Sequence, residues 1–269
     1  MSNESDVLVS VKDTIATITL NRPDKRNAQG VGFTPRLLAA LDQVENDPSV
    51  NVAILTGNGP VFGGGGDLGE IMSTDETDPE AEFDLVLGYN RLISRIYHFD
   101  RPIIAAMNGP AIGGGACLGL ACDFVIASER AAYHFAFSRI GLSAADMGAP
   151  TLLQRALGSP LAHYYLLSGG VIDAQRGREL GLFADVVPGS ELMATAIAAA
   201  SNIAGQSRRG STITKMALRR GAETPFDASL EYEAYLQSFA FRSREHKNRL
   251  GQFLEKEQAR RTDMGDRKQ

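Results

Sequence analysis

Apolar residues in the first part of the chain follow the spacings of strands and then of a helix. Val7 to Val11 and Ile15 to Leu20 alternate or run apolar around a short polar turn, which predicts a β-hairpin. Helical periodicity from Val31 to Val44 ends at Asn46-Asp47-Pro48, and an apolar run from Asn51 to Thr56 predicts a buried strand. The order is therefore strands, helix and strand, followed by a glycine-rich turn.

A similar order recurs further along the chain. A helix near Phe83 to His98 precedes a strand at Ile103 to Met107, a second glycine-rich turn, a helix that ends at Ala121 and a strand at Phe124 to Ala127. Such a recurrence predicts an α/β fold of stacked ββα turns, with both glycine turns on the same side.

The pattern becomes wholly helical after Pro188. Four helical stretches follow one another, at Glu191 to Ala204, Thr212 to Gly221, Asp227 to Phe241 and Ser243 to Arg261. We therefore predict two domains, a ββα core at residues 1–207 that holds the site and a helical domain at residues 208–269.

Composition narrows the class of protein. The chain has 269 residues, 43% of them apolar, with a net charge of -5, and this acidic balance argues against a nucleic-acid partner. No apolar run reaches the roughly 18 residues that cross a bilayer, and Met1 to Asp6 lack the features of a signal peptide. We expect no membrane association and a cytoplasmic location.

The number of cysteines argues against a disulfide scaffold, and the spacing of histidines argues against a metal site. Cys117 and Cys122 are too few for a disulfide scaffold and fit a reducing compartment. The four histidines have no metal-ligand spacing, so no metal is predicted.

The glycine turns carry the candidate chemistry. They span Gly63 to Asp67 and Gly109 to Gly115, each between an apolar run and a helical pattern. Glycine lets a ligand approach the backbone, and an unpaired N–H at a helix start can donate to a developing negative oxygen, which favours enolisation or attack at a carbonyl. A flexible loop is the alternative for either turn. Gly64 to Gly69 also fit a dinucleotide fingerprint, but Gly57 to Val61 separate them from the preceding strand.

Ordered motifs along nearly the whole chain resemble the crotonase (enoyl-CoA hydratase/isomerase) superfamily. They are Asn21-Arg22-Pro23 with Asn27-Ala28, Phe62 to Leu68, Arg101 to Gly109, Gly113-Gly114-Gly115, Cys122-Asp123, Gly141-Leu142, Arg155 to Gly158 and Phe253 to Lys256. The resemblance implies a spiral of ββα repeats, a C-terminal helical region that forms trimers or dimers of trimers, and an acyl-CoA thioester as substrate. It also implies that the thioester oxygen accepts from the N–H groups of Gly66 and Gly114.

Coenzyme A is part of the substrate in this interpretation, and no further cofactor is expected. By resemblance, the main-chain edges of Gly63, Gly64 and Gly65 meet the adenine side. Lys25 or Arg26 would meet the phosphates, and Phe253 and Lys256 would lie against the nucleotide. The alternative for each cation is a solvated surface side chain.

The chain departs from the hydratase pattern at both catalytic glutamates. Cys117 and Phe137 stand at those positions. The Cys117 thiol could exchange protons or be a small buried apolar group, whereas Phe137 can only shape an apolar pocket. Asp146 stands where dienoyl-CoA isomerases, the ring-epoxide and oxepin isomerases and the aroyl-CoA dehalogenases carry a working aspartate. We predict that it moves the proton, although it could instead cap a helix that starts near Pro150.

Four further residues are weaker candidates for the site: His134, Glu70, Glu231 and Tyr232.

The predicted reaction is double-bond isomerisation, which needs fewer acid/base groups than hydration, where a water must also be positioned. The alternatives are an atypical hydratase, a carbon-carbon bond hydrolase on a cyclic ketoacyl-CoA and a non-catalytic acyl-CoA-binding paralogue.

Overall fold

The computed structural model describes residues 5–30, 32–71 and 79–266. The chain forms two compact units, residues 1–204 and 205–269. A domain boundary at 207/208 stays a prediction. None of the helices in the described ranges has an apolar stretch that could cross a membrane.

A six-stranded sheet forms the centre of the first unit. Its strands, in spatial order, are β1 (Val7–Lys12), β2 (Ile15–Leu20), β3 (Val52–Gly57), β4 (Ile103–Met107), β6 (Phe124–Ser128) and β9 (Asp185–Val187). Strands β1 and β2 are antiparallel, and every later pairing is parallel. The predicted hairpin is confirmed, and Asp13 makes its turn with a left-handed φ of 57°.

Strand β3 shows why the central strands are continuously apolar. Ala53 and Leu55 belong to the core on one face of the sheet, whereas Val52 and Ile54 belong to the core on the other face. Since side chains alternate along a strand, a strand that is buried on both faces needs apolar residues at every position.

A second sheet has three short strands, β5 (Pro110–Ile112), β7 (Ala132–His134) and β8 (Val171–Asp173). Strand β5 pairs parallel with β7, which pairs antiparallel with β8. Strand β5 lies inside the segment predicted as the second glycine turn, so that turn is shorter than expected.

The helices of the first unit cover the sheet and connect its strands. They are α1 (Phe33–Asn46), α2 (Leu68–Ile71), α3 (Pro79–Tyr97), α4 (Gly114–Ala121), α5 (Ala149–Leu157), α6 (Ser159–Ser168), α7 (Ala174–Glu179) and α8 (Leu192–Ala204), with 3-10 turns at Pro23–Lys25 and Ala136–Ile140. Helix α8 contributes Leu192, Ala196 and Ala200 to one core. Helix α1 contributes Leu37 and Leu41 to the other.

The second unit consists of α9 (Arg208–Gly221), α10 (Phe226–Phe241) and α11 (Arg244–Asp266). Ser207 caps α9, and its hydroxyl accepts from the Gly210 N–H at 3.0 Å. The Arg249 guanidinium donates to the carbonyl of Gly205 at 3.0 Å and so joins α11 to the start of the unit. The predicted C-terminal helices are confirmed.

Candidate active site

The two glycine turns lie side by side. Gly63 forms a parallel bridge with Ala111, and the Ile112 N–H donates to the Gly63 carbonyl at 2.8 Å. A Cβ atom on Gly115 would collide with the same carbonyl oxygen. The turns therefore approach more closely than any side chain would allow, which explains the need for glycine on both.

Gln29 holds the first turn through its main chain. Its N–H donates to the Gly65 carbonyl at 2.6 Å, and its carbonyl accepts from the Asp67 N–H at 2.9 Å. Gly65 adopts a φ of +84°, where L side chains are strained. This pairing skips Gly66, whose N–H has no acceptor among the described residues.

Helix α4 forms the second turn. Its N-cap, Gly113, has a φ of 51° and donates its N–H to the His134 carbonyl at 2.9 Å. Gly114 is the first residue of the helix, where an N–H has no partner within the helix. No acceptor for this N–H occurs in the described part of the chain either.

A cavity of about 200 Å³ lies against both turns. Gly66 and Gly114 line it together with three polar side chains, Gln29, Tyr89 and Asp146. The rest of its wall includes the apolar side chains of Leu68, Ile112, Ala136, Phe137, Ile140, Leu142 and Met147. The cavity thus combines two unpaired backbone donors with one carboxylate in apolar surroundings.

Asp146 is half-buried at the cavity wall. Burial raises the pKa of its carboxyl above the usual range, and a hydrogen bond from the Met147 N–H opposes that rise. Gly148 is the N-cap of α5, and no side chain caps this helix. The alternative interpretation of Asp146 as the helix cap is therefore wrong.

Neither position that resembles a hydratase glutamate holds an acid or base. Cys117 is fully buried, does not line the cavity, and its thiol contacts the Gly113 carbonyl at 3.5 Å. Burial raises the pKa of the Cys117 thiol far above the usual range, so the group stays protonated. Phe137 lines the cavity as an apolar wall.

A second cavity, of about 370 Å³, adjoins the first. Lys25, Arg26 and Gly64 line it, and it shares Gly64, Gly66, Leu68 and Ile112 with the first cavity. The Lys25 ammonium lies 3.1 Å from the Asp67 carboxylate. Gly63 lines neither cavity, because its main chain pairs with the second turn.

Two of the remaining sequence candidates belong to the first unit, and neither lines the cavity. Glu70 forms an ion pair with Arg22 at 3.3 Å, and His134 does not line the cavity. Burial, with a smaller contribution from Arg139, lowers the pKa of His134. The other four lie in the second unit, Glu231 and Tyr232 on α10 and Phe253 and Lys256 on α11. The described residues contain no cluster of three or more His, Cys, Asp or Glu side chains that could hold a metal.

Among the cavity residues that the sequence interpretation missed are Gln29, Tyr89 and Met147. The Tyr89 hydroxyl donates to the Gln29 carbonyl at 3.3 Å, and Met147 adopts a left-handed φ of 47° beside Asp146. A Cβ on Gly114 would lie 2.6 Å from Met147 Sδ and 2.8 Å from Gln29 Oε1. The one sequence signal was that Gln29 directly follows the Asn27-Ala28 motif.

Comparison with known proteins shows the family of this chain. The family model described as enoyl-CoA hydratase/isomerase matches residues 10–264. A 2,3-dehydroadipyl-CoA hydratase from Escherichia coli is 33% identical, with 94% of this chain and 96% of that protein covered. A 1,2-epoxyphenylacetyl-CoA isomerase from the same organism is also 33% identical, with 93% and 95% covered.

A solved structure shows the same fold. The crystal structure of an enoyl-CoA hydratase from Bacillus anthracis superimposes with a TM-score of 0.89 at 29% identity, covering 94% of this chain and 97% of that one. The predicted crotonase-like α/β fold is confirmed.

Proposed function

The chain belongs to the enoyl-CoA hydratase/isomerase family, and on that premise we propose that it isomerises a double bond of an acyl-CoA thioester by proton transfer through an enolate. One observation carries the proposal. A single carboxylate, that of Asp146, lines the same cavity as the two unpaired N–H groups of Gly66 and Gly114.

The two backbone donors suit a thioester oxygen that becomes negative. When a base removes a proton next to the carbonyl, charge develops on that oxygen, and preorganised N–H groups stabilise it. Gly66 and Gly114 would donate these two hydrogen bonds. Their N–H groups need no reorganisation, because the main chains of Gln29 and Gly113 already hold both turns.

Asp146 would move the proton. A carboxylate whose pKa is raised is a stronger base than an ordinary aspartate, and after taking the proton it can return it to another carbon of the same enolate. Hydration would require a second group to position water. By resemblance, hydratases of the family carry their two catalytic glutamates at the positions of Cys117 and Phe137. Neither residue supplies such an acid/base group here, which favours isomerisation.

The coenzyme A part would occupy the second cavity. Lys25 and Arg26 stand at its wall, and Gly64 lets the ligand approach the main chain. The proposed chemistry uses no other cofactor, because CoA belongs to the substrate.

Exposed apolar side chains such as Leu218, Phe226 and Phe239 support a helical region that forms trimers or dimers of trimers. Light scattering would detect these assemblies as three or six times 28.8 kDa.

The decisive experiment incubates 3-enoyl- and 3,5-dienoyl-CoA in deuterium oxide, separates the double-bond isomers by chromatography and measures the mass of each product. The protein should move the double bond without adding a water, and Asp146→Asn should remove turnover while CoA thioester binding stays saturable and sensitive to salt. The exposed turn variant Asp13→Asn is the matched control and should keep full activity.

Two results would contradict the proposal. A product heavier by one water, formed at full rate by Asp146→Asn, would mean hydration through other groups. If binding persisted with no turnover of any thioester, the non-catalytic alternative would replace the enzyme assignment.

A further inference from the structure

Gln29 carries a buried amide that the proposed chemistry does not use. The residue is 1% exposed, and neither its Nε2 nor its Oε1 atom has a hydrogen-bond partner among the described residues. A buried amide without partners has lost its hydrogen bonds to water and gained none in return, which is unfavourable. An unpaired buried group of this kind calls for an explanation, and a hydrogen bond to a bound ligand is one.

The main chain determines where this amide lies. The Gln29 N–H and carbonyl are both used, with Gly65, Asp67 and Tyr89 as partners. The side chain lines the cavity, and its Oε1 atom lies 2.8 Å from the position that a Cβ on Gly114 would take. The amide therefore lies beside Gly114, whose N–H would bind the thioester oxygen under the proposed function.

The thioester oxygen itself is a poor partner for this amide. A carbonyl oxygen has two lone pairs, and under the proposed function the N–H groups of Gly66 and Gly114 occupy both. An unsubstituted alkenyl chain would also leave the amide unpaired, because its carbon atoms neither donate nor accept. A hydroxyl or carbonyl oxygen on the acyl chain would satisfy it.

We propose that the Gln29 carboxamide selects acyl-CoA substrates that carry a hydroxyl or carbonyl oxygen within two carbons of the thioester carbonyl. This inference rests on the proposed function, which places the thioester oxygen between the two turns. Gln29 acts here as a specificity residue, and Asp146 still moves the proton.

The test compares 3-hydroxybutanoyl-CoA with butanoyl-CoA, which differ by one hydroxyl. Calorimetric titration of the full chain should show that Gln29→Met weakens binding of the hydroxylated ligand by about 5- to 150-fold, the range for a buried polar group left unpaired. Butanoyl-CoA should bind wild type and variant with similar affinity. Methionine has a similar length and removes only polar atoms, so the melting temperature should not fall.

Thr34→Val is the matched control. The Thr34 hydroxyl is also buried without a partner in the described part of the chain, but it does not line the cavity. This variant should bind both ligands as wild type does. Equal weakening of both ligands by Gln29→Met would make the amide a third donor to the thioester oxygen and would overturn the inference, as would no weakening of either. Failure of wild type to bind any CoA thioester would instead overturn the proposed function.

Discussion

Each of the two glycine turns supplies one unpaired backbone N–H, but a different local structure leaves it unpaired. In the first, strand-like pairing with Gln29 uses the peptide groups on either side of Gly66, and the helix that follows, α2, has four residues. In the second, Gly114 starts α4, a buried helix of eight residues. Aligned peptide dipoles add along a helix, so the dipole assists the second donor more than the first. A donor can therefore come from a helix start or from a gap in backbone pairing.

Removal of the second donor should have the largest effect. Gly114→Pro deletes the N–H at the first position of a helix, where proline is tolerated, and loss of one such donor typically costs about 100- to 1000-fold in rate. Gly114→Ala keeps the N–H but adds the same Cβ close to Met147 and Gln29. Comparing kcat between the two variants, with circular dichroism to check the fold, measures the contribution of the Gly114 N–H to the rate. Equal activity of both variants would rule out its role.

The pH profile separates the turns from Asp146. Backbone N–H groups do not titrate near neutral pH, so the acid limb of kcat/KM should report Asp146 alone. Burial raises the pKa of Asp146 above its ordinary value of 3.8, and a base is active only when it is deprotonated. Activity should therefore be full above that raised pKa and fall about tenfold for each pH unit below it. An acid limb at or below the ordinary aspartate range would contradict this assignment.

A smaller effect should follow from crowding of the first turn. Gly65→Ala adds a Cβ that would lie 2.7 Å from the Ile112 carbonyl, at a φ of +84°. Gly141→Ala has a similar φ of +77° but nothing within 4 Å, so it shares the strain without the clash. Both should lose about 1–2 kcal/mol of folding free energy from the left-handed backbone.

Only Gly65→Ala should also lose activity, since the clash displaces the Gly66 donor. The loss should be less than the roughly 100-fold that a 1 Å misplacement can cost. Thermal melts and kcat for the two variants provide the measurement. If both variants kept the wild-type rate, the close approach of the two turns would not be needed for activity.

Local signals in the sequence predicted the larger elements well. The strand at Ile103–Met107 has the predicted limits, and the helices α8 to α11 lie where helical periodicity placed them. Apolar spacing and turn residues act over a few neighbouring residues, so they can be read directly from the chain. Strand β5 was missed because three residues inside a glycine-rich segment carry too little periodicity.

The sequence by itself determined the family, the positions of both glycine turns, the loss of two acidic positions at Cys117 and Phe137, and Asp146 as the remaining carboxylate. Only the tertiary structure decided that the turns pair through Gly63 and Ala111, that Gly148 rather than Asp146 caps α5, and that the Gln29 amide is buried beside Gly114. Hydrogen-bond partners and burial depend on segments far apart in the chain. No local pattern of residue types can therefore specify which polar group remains unpaired.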